Sequence, residues 1–578
     1  MCKACEPGLA QLASWLTKDA VFDKQNDTAS SAEPAATDDP RTTLFLNGAI
    51  LTLADGELSP VDALVIRDEK VIYTGTVDGA KEIAGATATT FDLQGRSLLP
   101  GFIEPHVHIS TTALADHFFL ALPATKVTTV EAALREIKAA VEKVLSEDEW
   151  VAGYGYDPSR IEGHSDLSKK ILDDVSTTTP IFILNQSGHI AYVNQEALDR
   201  AGVTPENAGH DFQRDADGNL TGVLLELAVA KVGAKLKSPG GVDMIKYCSL
   251  TLQKWISKGL TTVFDAGIGT LGANDFQLLK ALPKSPVRIY AALATQAVPA
   301  HPSEEIKPHS KLGQVEVIAV KYWADGSTQG FTAALTEAYP EPPPGFKSHG
   351  VKNYPDSKAL QEAISPWVGA GFQIVIHANG DAASDLALDA YENAFAEHPQ
   401  RDTSIVHRIE HFTVTRPDQL TRAQRLGIGV SHTIGHVHFW GETFADYVLR
   451  DERAARIHPI ASDVKAGLVF SFHSDSPITE ANPLLHLKIA TTRLTYQNGR
   501  VLGPDERVDL KTALRGVTLN PAIQIGIADK VGSIEVGKFA DLIVLDKDLR
   551  AVALEDLDKL KVEQTWISGK VAWSQKEE

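Results

Sequence analysis

Eight apolar runs of strand length recur through the middle of this chain, and longer stretches of helical spacing separate them. They are LLPGFIEPHVHI (98–109), GLTTVFDAG (259–267), VRIYAAL (287–293), VEVIAVKYWADG (315–326), FQIVIHANGD (372–381), SIVHRIEHF (404–412), GIGVSHTIGH (427–436) and LVFSFHSDSP (468–477). DSKALQEAISPWVGA (356–370) and DAASDLALDAYENAFAEH (381–398) carry helical patterns between them. Such alternation implies parallel strands joined by helices, and eight strands are what a (β/α)8 TIM barrel requires. A doubly wound open sheet would fit the alternation too, but no G-x-G-x-x-G follows a strand, which argues against a dinucleotide fold.

The gap between the first two runs is too long for one crossover. Residues from about 112 to 255 therefore read as an insertion after the first barrel strand, with EWVAGYGYDP (149–158) and PIFILNQSGHIAYVNQEAL (180–198) as further strands. Short β-like runs with Gly turns also occupy both chain ends: LFLNGAILTL, DALVIRDEKVIYTG and TTFDLQGRSLLPG early, GSIEVGKFADLIVLD and VEQTWISGKVAW late. The economical reading is one composite β-sandwich domain with the barrel inserted into it. The layout is thus 1–41, an N-terminal helix (Leu9, Leu12 and Leu16 at helical spacing) and tether; 42–97, the first part of the β-sandwich; 98–507, the barrel; and 508–578, the barrel end and the second part of the sandwich.

A net charge of −20 argues against nucleic acid or an anionic membrane as partner, since both need Lys/Arg-rich faces. A small-molecule substrate is the expectation. No window is apolar enough to span a bilayer, and three cysteines, Cys2, Cys5 and Cys248, are too few for a disulfide framework. A cytoplasmic protein is expected. Cys2 and Cys5 could form half a zinc site, but no second C-x-x-C completes it. A homodimer is the working expectation, although the residues say little about it.

Five of the eight runs close, on the carboxyl side, in residues able to bind metal: His106 and His108, Lys321, His377, His411 and Asp475. In a barrel that edge is the active-site face. The strand period of two puts His106 and His108 on one face, with Glu104 aligned behind them. Any one buried histidine is more often a satisfied core residue, as His407 warns. The joint pattern is harder to obtain from core packing.

These motifs resemble the amidohydrolase superfamily: PGFIEPHVH, VKYWADGS, HANGD, RIEHF and HSDSP along the strands, with LNPA and ADLIVLD near the end. The narrower likeness, carried by GHVHFWGE and NQSGHIAYVN, is to the branch containing N-substituted formamide deformylases. Relatives there often begin with C-x-x-C and a twin-arginine export signal; this chain keeps the cysteines and lacks the arginines.

The resemblance implies two divalent ions, zinc, with His106 and His108 on one, His377 and His411 on the other, and Lys321 bridging as a CO2-derived carbamate. An ammonium has donors and no lone pair, so an unmodified lysine could not bridge; the competing role for Lys321 is a salt bridge to Asp325. Metal-activated hydroxide would attack an amide, formamide or carbamate-like C–N bond, with Asp475 both binding metal and shuttling the proton. A mononuclear deaminase is the alternative chemistry, but the glutamate such enzymes place three residues after the fifth-strand histidine is here Gly380. A catalytically silent scaffold is the alternative class, and it would usually have lost a ligand. Tyr156, Asn185, His189, His436, His438 and Trp440 are the candidate substrate contacts, with aromatic packing as the competing role for each.

Overall fold

A computed structural model describes residues 41–575 apart from 55–57, 59, 189, 226, 238, 271, 304–305 and 344–345. The N-terminal helix, the tether, Cys2, Cys5 and His189 therefore lie outside the described residues. The eight runs form eight parallel strands in chain order: Phe102–Val107, Leu260–Ile268, Arg288–Ala294, Val315–Trp323, Gln373–Ala378, Arg408–His411, Gly429–Thr433 and Phe470–His473. The last meets the first through a parallel bridge of Val107 with Ser476, where His108 N donates to Ser476 O at 3.1 Å and Asp475 N donates to His106 O at 3.2 Å. The sheet thereby closes into the TIM barrel.

These strands read as continuous apolar runs because both faces are covered, one by the barrel interior and one by helices; Leu260–Ile268 is buried along its whole length. The helical patterns form Ser357–Gly369 and Asp381–Glu397. The alternation lapses once. Between the third and fourth strands no α-helix appears among the described residues; a short strand, Ser310–Leu312, folds back antiparallel on the fourth instead.

Both chain ends build one eight-stranded sheet. Ser97–Pro100 pairs in parallel with Thr42–Leu51 on one side and antiparallel with Leu542–Leu545 on the other, so Leu99 faces Ile543. Phe45, Phe91 and Trp566 pack edge-on or tilted in its core, with ring centroids 5.2 to 6.0 Å apart. The chain leaves this sheet at Gly101 and enters the first barrel strand at once. A Cβ at Gly101 would lie 2.3 Å from Thr261 Cγ2, so only glycine permits the approach.

The insertion forms a separate six-stranded sheet from Leu120–Ala121 to Leu220–Leu225, with its own core around Tyr156, Ile183 and Tyr192. It is tied to the carboxyl rim of the barrel: Gln186 Nε2 donates to Ile478 O at 2.8 Å and Trp440 Nε1 to Asp157 Oδ2 at 2.8 Å. Among the described residues no helix is long and apolar enough to cross a membrane.

Candidate metal centre

Strand ends deliver all six residues singled out at the rim, and the barrel closure just described fixes two of them relative to each other. His106 Nε2 and His108 Nε2 lie 3.2 and 3.3 Å from the same oxygen, Asp475 Oδ1. Asp475 Oδ2 lies 3.9 Å from His411 Nδ1, and the His377 and His411 rings are 4.2 Å apart. Lys321 Nζ lies 3.4 Å from His106 Nε2. The structure brings the six together.

Their backbone is not ordinary strand. His411 (φ 71°) and Asp475 (φ 55°) are both left-handed, a conformation that costs a non-glycine residue on the order of 1 kcal/mol or more and clusters at functional sites. Strict alternation would send His411 to the opposite face from Arg408 and Glu410; the left-handed turn brings it back.

Glu410 is the residue that motif reading passed over. Its Oε2 is 2.5 Å from His106 Nδ1, which makes Nδ1 the protonated nitrogen and leaves the His106 Nε2 lone pair facing Asp475 and Lys321. Arg408 Nε lies 2.9 Å from Glu410 Oε1, in ion-pair contact but off the hydrogen-bond direction. Burial alone would raise Glu410, yet Arg408 and His106 hold it down at about 2. The available signal was RIE: opposite charges two apart, hence on one face of a buried strand. His473 was also passed over. It stacks on His106 at 4.5 Å between centroids, and with His106 and Glu410 forms a second group of convergent donor atoms beside His106, His108 and Asp475.

Does this set fit a metal? With Nδ1 protonated, the His106 Nε2 lone pair meets the carboxylate oxygen Asp475 Oδ1 at 3.2 Å, acceptor against acceptor, while Lys321 Nζ lies 3.4 Å away as a donor, and His411 Nδ1 and His473 Nε2 each lie 2.8 Å from Thr433 Oγ1. His411 Nε2 is buried without a partner, which costs about 1–3 kcal/mol unless something ligates it. Burial presses the ammonium of Lys321 down to about 8, and no carboxylate among the described residues pairs with it. Asp325 is otherwise engaged: it accepts from the backbone N–H groups of Asn379, Ala334 and Gly380 at 2.8 to 2.9 Å. Asp475 is held well below the usual carboxylate range, burial being outweighed by His106, His108 and His411. Imidazole and carboxylate donors left open in this way fit a divalent ion.

The substrate candidates scatter. Tyr156 is fully buried in the insertion, its hydroxyl donating to Ser165 O at 2.6 Å, and Asn185 Oδ1 accepts from Ser187 N at 2.8 Å. His438 Nδ1 bonds Leu494 O at 2.6 Å. His436 stands against Trp440, ring centroids 5.5 Å apart, on the rim helix Gly435–Phe439, and its Nδ1 lies 3.2 Å from His458 Nε2. His407, the warning case, accepts from Ile374 N at 3.0 Å inside the core.

A sequence profile described as "Amidohydrolase family" matches residues 89–572, most of the chain. The chain belongs to the amidohydrolase family. Within it, the chain is 28% identical over 550 residues to "N-substituted formamide deformylase" of Arthrobacter pascens, covering 92% of this chain and 98% of that one. It is 26% identical over 561 residues to "Protein LONG AFTER FAR-RED 3" of Arabidopsis thaliana, 91% of each chain. The fold is shared with a metal-dependent hydrolase from Pyrococcus horikoshii at TM-score 0.69 and 24% identity, covering 89% of this amidohydrolase and 99% of that chain.

Proposed function

We propose that the chain is a metal-dependent hydrolase of an amide-type C–N bond in a small molecule: an N-substituted formamide, acyl amide or carbamate-like compound. The observation that carries this is the open donor set on the barrel rim, above all His411 Nε2, buried with no partner, in a cluster whose buried lysine makes no ion-pair contact with any described carboxylate. His106 and His108 would hold one ion, His377 and His411 the other, with Lys321 between them. Bound there, divalent ions would supply Lewis acidity toward an amide carbonyl and toward water.

The chain's own groups do the rest. Lys321 can bridge only after its neutral amine adds CO2, forming an N–C bond and releasing a proton; burial favours that neutral amine. Glu410 fixes the His106 tautomer. Asp475, ionised and with Oδ2 the freer oxygen, accepts the proton of the attacking water and returns it to the leaving nitrogen.

Ring deamination is disfavoured by sterics as well as by residue type. A Cβ on Gly380 would fall 1.9 Å from Ala334 O, so no acid side chain can stand at that position. The test is metal content with turnover of an N-substituted formamide, an acyl amide and a carbamate. The proposal expects at least one equivalent of divalent metal, lost together with activity in Lys321→Ala. Well under one equivalent, or a fully active Lys321→Ala, would sink it.

A further inference from the structure

Where the insertion meets the barrel rim there is a cavity of about 290 Å³. Ser476, the neighbour of Asp475 in the chain, lies in its wall with Tyr154, Gln186, Phe439 and Arg160. Arg160 is 7% exposed and its Nε is fully buried without a partner. No side-chain hydrogen bond or ion pair joins its guanidinium to any described residue. Burial weakens its charge, with Asp157 and Tyr496 working the other way. Asp157 gives Oδ1 to Ser159 and Oδ2 to Trp440 Nε1, so its oxygens are already engaged.

What Arg160 does contact is aromatic. Its guanidinium carbon lies 4.8 Å from the Trp440 ring centroid and 5.3 Å from that of Phe439. Stacking uses the flat face of a guanidinium and leaves its in-plane N–H fork available for two parallel hydrogen bonds. The other charges on this cavity are matched: Asp116 pairs with Lys254 at 3.1 Å and Glu480 with Lys258 at 3.2 Å. A second cavity that Arg160 also lines carries Glu162 and Glu442, which would repel an anion, with Asp446 matched by Arg500 at 3.2 Å. An anionic ligand is therefore directed to the first.

We propose that Arg160 is an anion-recognition subsite: the substrate carries a carboxylate that docks on this guanidinium, with an apolar body against Phe439 and Tyr154. As a statement about substrate this rests on the hydrolase reading above. The test does not. Isothermal titration of the full chain with benzoate and with its neutral isostere benzamide reads binding without turnover. Benzoate is expected to bind at least about tenfold more tightly, as a charge-assisted bidentate pair warrants. Arg160→Gln should erase the preference, and Arg160→Lys, which keeps charge without the fork, should keep part of it; circular dichroism checks that each variant folds. If Arg160→Gln does not fold, the wild-type ratio and Arg160→Lys decide. Equal binding of acid and amide, no binding of benzoate, or a preference that survives Arg160→Gln would overturn the proposal. A chain without metal or amide turnover that still prefers benzoate would leave the subsite standing and remove the hydrolase reading alone.

Discussion

Two histidine clusters sit side by side on the barrel rim, and they differ in where their nitrogens point. In one, His432 Nε2 bonds Asp463 Oδ2 at 2.6 Å, His432 Nδ1 meets His458 Nδ1 at 3.2 Å, and His458 Nε2 meets His436 Nδ1 at 3.2 Å. That chain is closed: each contact can be a hydrogen bond, and a single run of tautomers satisfies them all. In the other, His411 Nε2 has no partner, and Lys321 faces an imidazole nitrogen. Burial and residue type are alike in both. The difference lies in which atom is left over: in the first cluster the buried atom without a partner is a carboxylate oxygen, Asp463 Oδ1, and in the second it is an imidazole nitrogen, His411 Nε2, of the kind a metal ion takes.

The comparison can be broken at either cluster. The largest effect is expected from Asp475→Asn, which removes the proton acceptor while keeping the shape; kcat should fall about 10²–10⁴-fold with unfolding midpoint little changed. Near-normal turnover would return Asp475 to a structural role. Next comes Glu410→Gln, which frees the His106 tautomer; metal affinity measured by chelator competition should weaken about 10–100-fold. In the closed cluster the outcome should reverse. Asp463→Asn sets an amide against His432 and should cost about 1–3 kcal/mol in denaturant unfolding while metal content stays constant; loss of metal there would show that the two clusters are one. Smallest is Tyr156→Phe, expected to cost about 1 kcal/mol by unfolding through its bond to Ser165 O.

Much of the barrel was legible because the strand runs are continuously apolar, and the proposed site because five of the eight close in a residue able to bind metal. Local pattern does not show how a residue leaves its strand. Period two separates Glu410 from His411, and only a left-handed φ reunites them. The antiparallel Ser310–Leu312 took the place of a helix for a similar reason: tertiary pairing with the fourth strand decided it, and three residues carry no periodicity to read. Arg160 was invisible for a different reason. An arginine in a loop is ordinarily solvated, and only the packing of the insertion against Phe439 and Trp440 buries it. The candidates Tyr156 and Asn185 were chosen from motif-like text, which cannot distinguish a residue facing the rim from one facing the core of the insertion.

The glycine hand-off at Gly101 bears on how this chain reaches its native state. Leu98, Leu99 and Pro100 find their antiparallel partners only in Leu542–Leu545, about 440 residues later in the chain. At ribosomal speeds of about 5–20 residues per second, roughly 20–90 s separate the two segments. Until Ser476 is made the strand bearing His106 and His108 lacks a partner at both ends, and until Leu542–Leu545 follows it still lacks its anchor at one. His106 and His108, the first residues of the proposed site to be made, are therefore among the last to be locked.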